Sequence, residues 1–174
     1  MPGTAISSYG WYARKFRRDR LVPVMASVFP VVGKEFYFRM FGRGGFREYQ
    51  VLLPAGAWEE ADRSLRALIR RHGVPVTLAS LKLFRGKTSM LNFEGEGVCL
   101  AVDAPEGPGT RALFSDLDEL TISLKGIVNV AKDSRIGAAL VRRVYPDYEL
   151  FKSGLAAFDP GRRFDSALRR RIGV

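Results

Sequence analysis

EYQVLLPAGAWEEADRSLRALIRRHG, residues 48–73, is the stretch whose reading sets the fold. Its first six residues have the aromatic and aliphatic content of a strand, and Pro54 stops it, because proline has no N–H to give to a ladder. From Trp58 the apolar spacing changes from two to 3.6. Trp58, Ala61, Leu65, Leu68 and Ile69 fall on one helical face, Glu59 and Glu60 sit in the first turn, Arg70 and Arg71 in the last, and Gly73 follows. Acid at the start, base at the end and glycine beyond it all suit a helix with its dipole and its left-handed stop.

The same alternation of patterns continues downstream. TLASLKLF (77–84) and GVCLAVDAP (97–105) read as strands joined by the polar loop RGKTSMLNFEGE. After the breaker EGPG, the segment TRALFSDLDELTISLKG repeats helical spacing through Leu113, Leu117, Leu120 and Leu124 and stops at Gly126, and IVNVA (127–131) reads as a last short strand. The order predicts an α+β fold: a ferredoxin-like β-α-β-β-α-β core with helices on one face of an antiparallel sheet. Upstream, VPVMASVF and EFYFRMF are expected to add strands; downstream, SRIGAALVRRVYP and segments within 147–172 are expected to be helical.

A length of 174 residues with 47% hydrophobic content suits one domain with a real core. The single cysteine, Cys99, and the single histidine, His72, exclude an internal disulfide and a zinc cluster, so no metal is expected and a reducing, cytoplasmic location fits. The net charge of +10 lies at the ends. Residues 1–20 carry five basic and one acidic side chain and residues 134–174 nine and four, which leaves 21–133 near neutral. Basic ends point to an anionic partner, either a membrane surface in peripheral contact or nucleic acid. LVPVMASVFPVV (21–32) is too short to span a bilayer as a helix and contains two prolines; it reads as an edge strand or docking segment rather than a targeting sequence.

Two lysines stand out. Lys132 follows the strand IVNVA, and Asp133 or Ser134 is placed to cap a helix opening at Arg135. An ammonium at a strand end either snorkels to water or meets an anion, and position alone leaves both open. Lys82 lies inside TLASLKLF, where alternation puts Lys82 and Phe84 opposite Leu81 and Leu83. If the helices cover the Leu81/Leu83 side, then Lys82, Phe84, Gln50 and Cys99 share the helix-free face, with Glu48 two residues before Gln50. Such a face reads as the wall of a site. Cys99 is expected to line it rather than act as a nucleophile, and His72 is expected to sit at a helix carboxyl end.

These residues carry a resemblance. GRGGFREYQVLLP, ASLKLF, GVCLAVD, VNVAKDSR, VYPDYELF and FDPGRRFDSALRRRI, in that order, resemble the carboxyl-terminal half of flavin-linked oxidases of the vanillyl-alcohol-oxidase superfamily, above all members that oxidise a lipid-linked pentose. GWYARKFRR resembles the start of that family's substrate, or cap, domain. The resemblance implies a single cap domain over 1–174, made of a basic segment 1–20, a sheet-and-helix core 21–133 and a helical basic tail 134–174. It implies FAD held mainly by a flavin-binding domain absent from this chain, in cis or as a separate chain, without which the protein is inactive.

It further implies that Lys132 matches the catalytic lysine at the flavin's pyrimidine end, with Asn129 beside the cofactor, and that Lys82, Gln50 and Cys99 line the substrate pocket together with Phe84 and Glu48. The family's reaction passes a hydride from a sugar carbon to the flavin, and a separate reductase partner then reduces the keto sugar. Three positions depart from the family pattern: Asn129 replaces a tyrosine, Gly97 an asparagine and Glu48 a glutamine. These put the substrate, not the fold, in question. The competing expectation is a non-enzymatic module whose sheet contacts RNA or another anionic partner; the strands LASLKLF and VCLAVDA lack its aromatic signature, so nucleic acid is not favoured. GRGG (42–45) and EGEG (94–97) lack the context of a dinucleotide fingerprint.

Overall fold

In a computed structural model the described residues are 41–174, together with Leu21, Pro23, Val24 and Arg39. The chain divides into two compact units, 1–40 and 41–174, and the description below concerns the second. The basic segment 1–20, GWYARKFRR and most of the upstream strand candidates lie outside the described residues; within those candidates Val24 and Arg39 are helical.

Four strands, β1 (Phe46–Leu53), β2 (Leu78–Phe84), β3 (Gly97–Pro105) and β4 (Ile127–Val128), form one antiparallel sheet in the order β2-β3-β1-β4. Helices α1 (Trp58–His72) and α2 (Pro108–Ser123) connect β1 to β2 and β3 to β4, which is the ferredoxin-like arrangement expected of the sequence. Three further helices follow: α3 (Ala138–Val144), α4 (Tyr148–Phe158) and α5 (Ala167–Ile172).

Helix α1 ends as its sequence dictates, with Gly73 at φ 62° donating its N–H to the carbonyl of Arg70. Helix α2 opens with Pro108 in its first turn and ends earlier than expected: Leu124 is the cap and Lys125 takes the left-handed turn at φ 56°. Gly126 serves a different purpose. A Cβ there would stand 2.6 Å from Leu53 Cδ2 and 3.0 Å from the Leu52 carbonyl oxygen, so any larger residue makes β1 give way where the chain returns to it.

The core lies between the sheet and α2. Tyr49, Phe114, Leu113 and Val102 are almost fully buried; the Tyr49 and Phe114 rings meet at 5.2 Å, and Tyr49 Oη is 2.9 Å from Thr121 Oγ1. Burying a side chain such as Phe114 stabilises by about 1.5–3 kcal/mol. Register fixes the two faces. Tyr49, Val51 and Leu53 stand opposite Val102, Leu100 and Val98 on the helix side; Glu48, Gln50 and Leu52 stand opposite Asp103, Ala101 and Cys99 on the other.

The helices do not cover all of the first face. Helix α2 packs on β1 and β4 and α1 packs on α2, so the edge strand β2 is left out, and Leu81 and Leu83 are 56% and 83% exposed. The condition that helices cover the Leu81/Leu83 side is met in direction only: both residues lie on the side of α2, and among the described elements β2 is the edge of the sheet, which leaves them exposed.

Candidate functional site

Lys82, Phe84, Gln50, Cys99 and Glu48 do lie on one face of the sheet, the one opposite α2. Lys82 pairs in register with Cys99, Cys99 with Leu52, and Phe84 with Gly97. Cys99 is 1% exposed and Gln50 is buried, whereas Lys82 on the edge strand is exposed. Burial pushes the Cys99 thiol above its ordinary range, opposed by the nearby Lys82 ammonium and a hydrogen bond with Gln50 and reinforced by the Glu48 carboxylate. At neutral pH the thiol keeps its proton and is a poor nucleophile. Phe84 meets Phe93 edge-on at 5.9 Å and closes the far end of the face with a loop residue.

The other end of the face is built by the segment after β4. Strand β4 stops at Val128 although IVNVA was expected to run on to Ala131. Asn129 explains the stop. Its backbone N–H still donates to the carbonyl of Gln50 (2.9 Å), but its side-chain oxygen accepts from Ala131 N–H (3.1 Å) and its carbonyl accepts from Lys132 N–H (3.1 Å), folding the chain into a turn that leaves the sheet. The Asn129 amide then donates from Nδ2 to Gln50 Oε1 at 2.5 Å. Lys82, Cys99, Gln50 and Asn129 thus form a polar file across the sheet, from edge strand to final turn.

Lys132 rises from that turn. Its side chain is 52% exposed, and Nζ lies 3.6 Å from Glu48 Oε2. Beside it is a cavity of about 370 Å³ lined by Phe46, Arg47, Glu48, Glu106, Lys132, Asp133 and Ser134. Arg47 bonds Glu106 on its wall and reaches Ser134 Oγ at 3.5 Å. The structure therefore brings Lys132 and Asn129 to the same face as the five sheet residues, each through a different β1 side chain.

The expected cap at Asp133 or Ser134 is corrected. Helix α3 begins at Ala138 behind Gly137, with no side-chain cap. Asp133 is buried and makes a turn of its own, accepting from Arg135 N–H at 2.8 Å and from Arg135 Nη2 at 2.9 Å. Arg135 is the centre of a partly buried ionic group: it also grips Asp118 on α2 with both terminal nitrogens, at 2.5 and 3.0 Å, and lies over the Phe114 ring. A charged side chain needed for this purpose breaks the helical reading of SRIG.

Two residues of the site region went unnoticed in the sequence. Asp103, buried and opposite Glu48 in register, follows from alternation along GVCLAVD and was there to be found. Arg171 was not, because it reaches the Lys132 turn from α5 across about forty residues of chain, donating to the carbonyls of Asp133 (2.7 Å) and Val130 (2.8 Å). His72 pairs with Asp116 on α2 at 2.8 Å, away from this face of the sheet.

Over 135 residues, 77% of its length, the chain is 32% identical to decaprenylphosphoryl-beta-D-ribose oxidase of Mycolicibacterium smegmatis. It is similar to an oxidase. Over 115 residues it is 36% identical to an uncharacterised protein encoded in the mprA 5′ region of Streptomyces coelicolor. The chain spans 29% and 31% of the lengths of these two curated relatives. No family model matches it. Among the described residues no helix is long and apolar enough to cross a membrane.

Proposed function

We propose that this chain forms the substrate-facing, cap portion of an FAD-linked oxidoreductase that oxidises a CH–OH carbon of a sugar or other alcohol, a lipid-linked pentose being the leading substrate class. The observation that carries this reading is the polar file Lys82, Cys99, Gln50 and Asn129 on the face opposite α2, ending beside the Lys132 ammonium. The similarity to an oxidase over 77% of the chain supports it.

FAD, when bound, supplies the acceptor for the hydride. The residues present suit the ring end of such a cofactor: Lys132 is a half-exposed cation whose ion partner, the Glu48 carboxylate, stands 3.6 Å away, so its charge remains available to an electron-rich ring. The nucleotide end is assigned to an FAD-binding domain, in cis or as a separate chain. Gln50 has its amide orientation fixed by Asn129 and offers a set hydrogen-bonding edge to a hydroxylated substrate. Glu48 adds a carboxylate at the mouth that accepts from hydroxyl groups and moderates Lys132. Cys99 keeps its proton and contributes shape. A reductase partner for the keto product and peripheral contact of the basic regions with a membrane belong to the same proposal.

The test is to produce the full-length protein, or this chain with the FAD-binding region, and follow flavin absorbance on mixing with polyprenyl-phosphate-linked pentoses and simple alcohols. Lys132→Met is expected to slow flavin reduction on the order of 10²-fold, as the removal of one preorganised electrostatic donor does elsewhere. Absence of bound flavin overturns the reading; unchanged reduction in the variant removes Lys132 from it.

A further inference from the structure

Lys132 belongs to no helix or strand. It stands in a turn, its side chain is half exposed, and its ion pair with Glu48 is long at 3.6 Å. Its position is therefore only as well defined as the backbone on either side. That backbone is clamped: Arg171 donates from Nη2 to the carbonyl of Val130 and from Nη1 to the carbonyl of Asp133, at 2.8 and 2.7 Å. The two carbonyls bracket Lys132 on both sides.

We propose that Arg171 is the positioning residue for Lys132, a guanidinium clamp through which the carboxyl-terminal helix sets where the ammonium stands. This rests on the role given to Lys132 above and extends it to a residue that touches neither substrate nor cofactor. The planar fork suits the task because two parallel N–H donors hold two acceptors at a fixed separation, whereas a lysine is a single donor centre. The far side of the clamp is itself anchored. Tyr148 Oη donates to the Ile172 carbonyl at 2.8 Å, and Arg169, buried on the same helix, bonds Asp159 at 2.7 Å and the Val174 carbonyl at 3.1 Å. Asp133, held through its side chain by Arg135, fixes the remaining end of the turn. The clamp thus ties helix α5 to the turn that carries Lys132.

Arg171→Gln and Arg171→Lys test this, with Arg170→Gln, an exposed neighbour paired with Asp165, as the control. Amide hydrogen exchange at 131–134 and the rate at which a succinimidyl ester labels Lys132, referred to Lys82 in the same sample, report the turn directly and need no flavin. Loss of two charge-assisted bonds is expected to speed exchange there at least about tenfold and to change the Lys132 to Lys82 labelling ratio, with Arg171→Lys between wild type and Arg171→Gln. Exchange in β1 and β3 should stay unchanged, which a general loss of folding would not allow.

In the flavin-loaded full-length protein, Arg171→Gln should slow flavin reduction in the same direction as Lys132→Met, and the double variant should be no slower than Lys132→Met alone. Unaltered exchange and labelling in Arg171→Gln overturn the clamp whatever Lys132 does. Altered exchange and labelling with no effect of Lys132→Met on flavin reduction leave the clamp standing and overturn the role of Lys132 instead.

Discussion

Asn129 donates its side-chain amide to Gln50 Oε1 at 2.5 Å, and through that bond the turn after β4 is tied to the centre of the sheet. The same Gln50 side chain also faces the Cys99 thiol, so a single buried amide links the final turn to β3. Replacing it separates these groups without touching Lys132.

Gln50→Leu is expected to destabilise the protein by about 1–3 kcal/mol, the cost of leaving a half-buried donor on Asn129 without its acceptor. Urea denaturation measures it. The same variant removes an interaction that favours the Cys99 thiolate, so alkylation of Cys99 at fixed pH should become slower unless the cavity opens it to solvent; faster labelling would show that Gln50 is a plug and not a partner.

Arg135→Met should be among the most damaging single changes. It leaves Asp118 and Asp133 facing each other's surroundings without their shared cation, in a region where Asp133 is buried. Breaking such a group costs about 3–5 kcal/mol, visible as a lowered denaturation midpoint with an unchanged slope. Asp118→Asn together with Arg135→Met should cost less than Arg135→Met alone.

Stability should fall in strong alkali. Burial raises the Tyr49 and Tyr145 phenols and the Cys99 thiol above their ordinary ranges, so the folded protein holds protons that the unfolded chain releases. Their contribution is complete below the unfolded values, about 8.5 for the thiol and about 10 for the phenols, and is lost as pH rises through the higher folded values. Tyr145 donates to the Val128 carbonyl at 2.7 Å. Tyr145→Phe should therefore be less stable by about 1 kcal/mol at pH 7 and should lose stability less steeply above pH of about 10.

Gly97 carries a prediction about the family comparison. A Cβ at this position would lie 2.0 Å from the Leu53 carbonyl oxygen, and φ is +156°. Gly97→Asn, which restores the residue the resemblance assigns there, must push β3 away from β1 and is expected to cost at least about 1–3 kcal/mol. A variant as stable as the parent would mean that the two strands can separate at this point without cost.

Alternation in EYQVLLP and TLASLKLF put Glu48 with Gln50 and Lys82 with Phe84 on one side of their strands, because side chains in a strand alternate whatever surrounds them, and the register of the sheet brought them and Cys99 to one face. The change to a 3.6 spacing gave α1 and α2, and the order of elements gave the sheet. What alternation does not contain is the neighbour of a strand. It assigned Leu81 and Leu83 to the helix side but not to the edge, and it ran β4 past Asn129, where a side chain competes with the ladder for the same backbone groups.

By itself, then, the sequence determined the elements, their order and the two faces of the sheet, all of which follow from local stereochemistry repeated every two or 3.6 residues. The tertiary structure decided that Lys132 stands beside Glu48, that Asp133 serves Arg135 and not a helix cap, and that Arg171 holds the turn between them. Those contacts join residues far apart in the chain, and their geometry is fixed by how α5 and the 129–137 segment pack, which no spacing within either segment encodes.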